Sequence, residues 1–182
     1  MSGKQDELQV VTIAQASLRH PRHSEATLIE LADGRLLIAW QEYLASDLLG
    51  EDNAPNRIVA ATSNDGGVTW DERIVLVRTP PGCVNVYSPS FVRLNTGEVL
   101  LVYFLFEEQG AGLVPVTTAH VLRSRDEGHS FESYSSAWTR QPYSSASSVA
   151  VLLSSGRIIL PVSRQMGKDW SPTDHFVAGC VF

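Results

Sequence analysis

Short apolar runs separated by glycine turns recur along the chain and predict β-strands. The turns are centred on Gly34, Gly97 and Gly156, which are 63 and 59 residues apart. Each flanking run is four to eight residues long and rich in Val, Ile and aromatic residues, and no segment keeps a 3.6-residue helical period. The pattern therefore predicts pairs of antiparallel strands that repeat about every sixty residues.

A second motif recurs with the same period. Residues 63–70 read S-x-D-x-G-x-T-W and residues 124–131 read S-x-D-x-G-x-S-F, and their first serines are 61 residues apart. We call these two segments the Ser-x-Asp turns. Their Asp can bond the backbone of its own turn, the Gly supplies a positive φ, and the closing aromatic side chain packs beneath the hairpin.

Each repeat reads strand, glycine turn, strand, long loop, strand, Ser-x-Asp turn, strand. This is the four-stranded antiparallel meander of a propeller blade, so the fold class predicted is all-β and the architecture a β-propeller. Blade 1 is predicted over about 24–78, blade 2 over about 87–138 and an incomplete blade 3 over about 146–182, with an N-terminal strand at 8–14. Because a propeller ring typically has four to eight blades, we expect residues 1–182 to be one partial domain.

Composition excludes several classes of function. The chain has 182 residues, of which 43% are apolar and 19% charged, with a net charge of −6 and no Lys/Arg cluster. These values argue against a partner that is nucleic acid or an anionic membrane. The two cysteines, Cys83 and Cys180, show no metal-ligand spacing, and we predict no metal and no cofactor. The polar N-terminus predicts a cytoplasmic protein, with secretion or a periplasmic location as the alternative.

The predicted topology places the chemistry at one end of the blades. Successive strands run in opposite directions, so the glycine turns and the Ser-x-Asp turns share one end. The starts of the innermost strands and the loops between second and third strands share the other end. Seven polar residues near that second end are the candidates for a site: Arg22, His23, Glu25, Glu42, Asp47, Asp52 and Tyr87.

Paired carboxylates and arginine are the groups that glycoside hydrolysis requires. One carboxyl group protonates the leaving oxygen, while another group stabilises an oxocarbenium-like centre. The planar fork of an arginine matches the carboxylate of an acidic sugar. Structural alternatives stand beside four of the candidates: a salt bridge from Glu25 to Arg22 or to a neighbouring blade, a solvated loop for Asp47 and Asp52, and a surface or capping role for His23.

The repeats and both Ser-x-Asp turns resemble the sialidase superfamily with BNR repeats and Asp-boxes, over nearly all of residues 20–182. The resemblance implies a six-bladed propeller and exo-α-sialidase-type hydrolysis of a terminal, acidic sugar. In such enzymes the first inner strand opens with Arg-Ile-Pro, whose Arg holds the substrate carboxylate; here that position falls on Ser24, two residues after Arg22. The stretch 19–25 looks closer to a divergent bacterial-type branch in which Ser-Glu replaces Arg-Ile-Pro.

The resemblance also distributes the roles. It places the acid/base in the first long loop, at Asp47 or Asp52, and it places a Tyr/Glu nucleophile pair and two further arginines in later blades. We therefore expect Asp47, Asp52 and Glu25 to be catalytic. The residues expected to bind a carbohydrate substrate are Arg22, His23, Glu42 and Tyr87.

Two other functions fit the same pattern. A non-catalytic propeller could bind glycans or proteins at the same end, and a polysaccharide lyase could use a Tyr or His as its base. Exposed blade edges further predict self-association.

Overall fold

The described residues are all-β, as the sequence predicts. The computed structural model describes residues 9–110, 115–142, 144–145, 149–165 and 176–181. The strands within these ranges are β1 (His23–Glu30), β2 (Leu36–Tyr43), β3 (Asn56–Ser63), β4 (Ile74–Arg78), β5 (Asn85–Arg93), β6 (Val99–Glu107), β7 (Val116–Ser124), β8 (Glu132–Pro142), β9 (Ser144–Ser145), β10 (Val151–Leu152), β11 (Ile158–Gln165) and β12 (Phe176–Val181). Across these same ranges, no helix is long and apolar enough to span a membrane.

The strands form three antiparallel sheets, which we call blades 1, 2 and 3. Blade 1 has the order β1-β2-β3-β4 and blade 2 the order β5-β6-β7-β8, so both are the four-stranded meanders that the repeat predicts. In blade 3 the order is β10-β11-β12, and β9 also pairs with β11.

The core lies in layers between successive blades. Strand β6 shows why: its side chains alternate between two covered faces, and its sequence is accordingly apolar from Val99 to Phe106. Leu101 packs in the layer against blade 1, with Leu37 and Ile58. Phe104 packs in the layer against blade 3, with Leu160.

A repeated hydrogen bond ties the inner strands of neighbouring blades together. Thr27 Oγ1 accepts from the Phe91 backbone N–H at 3.1 Å, and Ser90 Oγ accepts from the Ala150 backbone N–H at 2.6 Å. Thr27 and Ser90 both lie seven residues before the glycine of their turn. Each hydroxyl thus accepts from a backbone N–H of the next blade that has no hydrogen-bond partner within that blade's own sheet.

The two Ser-x-Asp turns form the same internal bonds. Asp65 accepts from the hydroxyl of Thr69 at 2.6 Å and from its backbone N–H at 2.9 Å. Asp126 accepts from the hydroxyl of Ser130 at 2.5 Å and from its backbone N–H at 2.9 Å. These bonds, the hydroxyl bond foremost, lower the pKa of each Asp to about 2.

Contacts between blades confirm that the glycine turns and the Ser-x-Asp turns share one end. In blade 2, Glu127 Oε2 accepts from the backbone N–H of Ala32, in the glycine turn of blade 1, at 2.8 Å. Arg93 donates to both carboxylate oxygens of Glu127, each at 2.9 Å. The Ser-x-Asp turn of blade 2 therefore binds the glycine turn of blade 1.

The N-terminal segment differs from its prediction as a strand over 8–14. Residues 9–14 form no strand with any part of the described chain. Instead Ile13 and Ala14 pack on the face of blade 1 that points away from blade 2, against Trp40 and Val59. Their apolar side chains satisfied the pattern of a strand, but they contact the flat face of a sheet and leave its edge unpaired.

Candidate functional site

A cavity of about 390 Å³ lies between blades 1 and 2, at the end opposite the Ser-x-Asp turns. That volume is within the range of small-molecule sites. Its wall comes from the starts of β1 and β5, the ends of β2 and β6, and the long loop after β2. The lining residues are Arg22, Glu25, Gln41, Tyr43, Asp52, Asn53, Asn85, Tyr87 and Phe106.

Arg22 is held by the long loop of blade 1. Its Nη1 donates to Asp52 Oδ1 at 2.6 Å and to the carbonyl of Gly50 at 3.2 Å. The guanidinium also lies over the ring of Tyr43, 4.7 Å from the centroid. The bond to Asp52 raises the pKa of Arg22. The Asp52 side chain is 87% exposed, so the pair forms the rim of the cavity.

Glu25 projects from a distorted position in the first inner strand. Its φ is +47°, and a β-bulge interrupts the pairing of β1 between Ser24 and Thr27. Glu25 Oε2 accepts from the backbone N–H of Ser88 at 2.6 Å and from its hydroxyl at 3.1 Å. The alternative salt bridge to Arg22 is therefore not the bond that the Glu25 carboxylate makes.

Ser88 is the counterpart of Glu25 in the next blade. Each lies nine residues before the glycine of its turn, and Ser88 also has a positive φ, +50°, at a bulge of β5. A non-glycine residue in this region costs on the order of 1–3 kcal/mol and persists where the surroundings enforce it. Such strain often accompanies functional sites; here Glu25 lines the cavity and Ser88 bonds its carboxylate.

Side-chain amides and aromatic rings complete the wall. Gln41 Nε2 donates to the carbonyl of Val86 at 3.0 Å, and Asn85 Nδ2 donates to the carbonyl of Asp52 at 2.6 Å. Tyr87 stacks on Phe104 with 5.4 Å between centroids. Carboxylates and amides can bond sugar hydroxyls, and an aromatic face can cover the apolar side of a sugar ring.

Glu42 lies outside the cavity, on the opposite face of blade 1. It is fully buried, and its Oε1 accepts from Nε and Nη2 of Arg57 at 2.9 and 2.7 Å. Arg73 Nε lies 2.5 Å from Glu42 Oε2, although its N–H is not aligned for a hydrogen bond. His20 Nδ1 lies 3.7 Å from Oε1. This geometry is that of a buried ion cluster and gives Glu42 no access to a ligand in the cavity.

His23 belongs to the same face as Glu42. Its Nδ1 accepts from the indole N–H of Trp40 at 3.0 Å. Burial lowers the pKa of His23. Period-two alternation along β2 could have separated these residues, since Gln41 and Tyr43 share one face and Glu42 takes the other.

Of the seven predicted site residues, the cavity brings together Arg22, Glu25, Asp52 and Tyr87. Asp47 is exposed in the long loop and does not line the cavity. The catalytic and binding roles assigned to these residues stay predictions. Five lining residues are not among the seven candidates, because none of them stands in a motif: Gln41, Tyr43, Asn53, Asn85 and Phe106. Among the residues that the structure describes, no group of three or more His, Cys, Asp or Glu is placed to hold a metal ion.

Comparison with known proteins identifies the fold. No family model matches the chain, and no curated protein matches its sequence. Among solved structures, a Dyadobacter fermentans protein of unknown function is 17% identical with a TM-score of 0.69, covering 92% of this chain and 52% of its own. A Hadza microbial sialidase is 13% identical with a TM-score of 0.69, covering 89% of this chain and 35% of its own. A leech intramolecular trans-sialidase is 10% identical with a TM-score of 0.65, covering 97% of this chain and 44% of its own.

These likenesses confirm the predicted fold. The chain folds as part of a sialidase-like β-propeller, and it spans about half or less of the length of these three neighbours. At such low identity the likeness describes the fold and leaves activity to be argued from the site.

Proposed function

We propose that the cavity between blades 1 and 2 binds terminal sugars, as part of an exo-acting glycoside hydrolase with a sialidase-like fold. The observation that carries the proposal is the meeting of Glu25, Asp52 and Arg22 around one cavity. Sialidases and a trans-sialidase among the structural neighbours support a carbohydrate as the ligand. Water is the only co-substrate that hydrolysis needs.

The proposed roles follow from position. Asp52, on the exposed rim, is the general acid/base; it is favoured over Asp47, the other candidate, because it lines the cavity. Glu25, held by Ser88, contributes a fixed carboxylate that assists a developing positive centre. Arg22 orients the sugar through its remaining donors.

A non-catalytic glycan-binding propeller is the second candidate. It is favoured by the bonds that the charged groups already make: Arg22 bonds Asp52, and Glu25 bonds Ser88. The lyase alternative needs a Tyr or His as its base. Burial raises the pKa of Tyr43, a tyrosine of the cavity, and none of the residues described as lining the cavity is a histidine.

Binding of aryl glycosides to this chain, and their turnover by a protein that carries the complete ring of blades, test the proposal together. The variants are Asp52→Asn and Glu25→Gln, and the matched control is Glu51→Gln, an exposed acidic residue of the same loop that does not line the cavity. Asp52→Asn should lower the hydrolysis rate by about 10²–10⁴-fold if Asp52 is the general acid, while the control retains the wild-type rate.

Three outcomes separate the candidates. Hydrolysis that falls in Asp52→Asn supports the enzyme. Binding without hydrolysis by a protein that carries the complete ring of blades supports the binding propeller. Absence of binding to every glycoside tested overturns both.

A further inference from the structure

We infer that this cavity takes a sugar that carries no acid group, neutral or amino, in place of the sugar acid that the likeness to sialidases suggests. The inference rests on the proposed function, because it names the substrate class of the same site.

The wall of the cavity carries more acidic than basic side chains. Of its nine lining residues, Glu25 and Asp52 are acidic, Arg22 alone is basic, and the other six are uncharged. A sugar carboxylate would enter beside two groups of its own charge. Like charges in close contact oppose binding, and they do so more strongly where water is partly excluded.

The single arginine of the wall is already compensated. Arg22 Nη1 bonds Asp52 Oδ1 at 2.6 Å and the Gly50 carbonyl at 3.2 Å. A sugar carboxylate that paired with Arg22 in the forked geometry would have to displace Asp52 or lie next to it. Displacement breaks the Arg22–Asp52 bond, and a carboxylate beside Asp52 meets its negative charge. A hydroxyl or acetamido group bonded to the remaining donors of Arg22 does neither.

Among the residues that the structure describes, the surroundings of the cavity do not reverse this charge. The long loop contributes Asp47, Glu51 and Asp52, and residues 41–56 contain no Lys or Arg. Arg57 and Arg140 are near this end of the blades, but they are paired with Glu42 and Glu107.

Three other arginines of the described residues near this end are also outside the wall. Arg19 and Arg78 are exposed, Arg164 is half-buried at the end of β11 in blade 3, and none of them lines the cavity. The uncharged groups of the wall, amides and tyrosines, instead match the hydroxyl and acetamido groups of a neutral sugar.

The test compares four ligands that share one leaving group: the para-nitrophenyl glycosides of N-acetylglucosamine, glucosamine, glucuronic acid and sialic acid. Dissociation constants are measured by NMR titration of the wild-type chain at low ionic strength. We expect the better of the neutral and amino sugars to bind at least about fivefold more tightly than either acid sugar.

A charge variant then assigns the effect to the cavity. Asp52→Asn keeps the shape of the side chain, removes one negative charge and releases Arg22, so affinity for the glucuronide should rise about fivefold. Glu51→Gln removes the same charge from the same loop, outside the cavity, and should change that affinity by less than about twofold.

The outcomes keep the two claims apart. Acid sugars that bind the wild-type chain as tightly as the others, or more tightly, overturn the inference and leave the proposed function standing. An equal response to Asp52→Asn and Glu51→Gln also overturns it, because the preference would then come from overall charge. Failure of all four ligands to bind overturns the proposed function and the inference with it.

Discussion

The two ends of blades 1 and 2 differ in whether equivalent positions of the repeat hold similar residues. At the end with the Ser-x-Asp turns, Asp65 and Asp126 make the same bonds at the same repeat positions. At the cavity end, the equivalent positions hold unlike residues, Glu25 and Ser88, and one bonds the other across the blades. Repetition therefore marks the residues that build each blade, and departure from repetition marks the residues that form a site between blades.

The largest expected effect is a loss of stability in a Glu42 variant. It tests whether this carboxylate at the cavity end is structural and does not belong to the site. Glu42 is at that end but fully buried among arginines. Glu42→Gln removes the counter-charge of Arg57 and Arg73 and should lower the free energy of unfolding by about 3 kcal/mol. Denaturant unfolding measures the change.

Glu98 is the matched control for Glu42. It also contacts two arginines, Arg123 and Arg125, but at the turn end and in contact with solvent. Glu98→Gln should cost less than about 1 kcal/mol. Equal losses of unfolding free energy in both variants would show that Glu42 is not part of a buried ion cluster.

The next largest effect is a difference in stability between alanine variants of the two equivalent glycines in the Ser-x-Asp turns. A Cβ on Gly128 would lie 2.7 Å from Leu37 Cδ2, whereas a Cβ on Gly67 would meet Leu36 Cδ1 at 3.5 Å. Both positions have a positive φ, so both Ala variants lose about 1–2 kcal/mol from backbone strain. Leu37 is 2% exposed and has little room to move, so Gly128→Ala should lose about 1–2 kcal/mol more.

Thermal or denaturant unfolding of both glycine variants measures this difference. Equal stabilities would mean that the turn of blade 2 does not pack on blade 1 as closely as described.

The smallest expected effect is the loss of stability at acidic pH. The pKa of Asp65 and of Asp126 is lowered to about 2 by hydrogen bonds in the folded protein. A carboxylate whose pKa is depressed on folding stabilises the protein above its unfolded pKa, and the contribution is lost as pH falls through the folded pKa. The melting temperature should therefore fall between about pH 4 and pH 2.

The double variant Asp65→Asn/Asp126→Asn isolates this contribution. Its melting temperature should depend less steeply on pH in that window than that of the wild type, because two of the titrating groups are gone. An unchanged slope would contradict the assignment of the low pKa values to these turns.

Much of the fold could be predicted because its rules are local and repeated. The Ser-x-Asp turns specify their own hydrogen bonds within eight residues, and the apolar sequence of β6 signals a strand covered on both faces. Residues 9–14 show the limit of that reasoning. Their apolar pattern is the same whether they pair with a strand edge or pack on a sheet face, and only tertiary structure distinguishes the two.

The site could be predicted only in part, because its residues meet across blades. The predicted topology indicated the end of the blades at which the cavity lies. Four of the predicted residues line that cavity: Arg22, Glu25, Asp52 and Tyr87. The long loop has no periodicity, so sequence could not tell Asp52 from the exposed Asp47. The paired bulges, which aim Glu25 at the backbone of the next blade, depend on contacts about sixty residues apart.

The central claim is that ligands bind at the cavity end, whereas the end with the Ser-x-Asp turns is structural. A map of backbone amide chemical shifts tests this claim most directly. Para-nitrophenyl N-acetylglucosaminide is titrated into the isotopically labelled chain. The account predicts saturable shifts with one dissociation constant at Glu25, Asn85 and Ser88, while the amides of the two Ser-x-Asp turns stay unchanged. Shifts centred on the Ser-x-Asp turns, or none at the cavity, would contradict it.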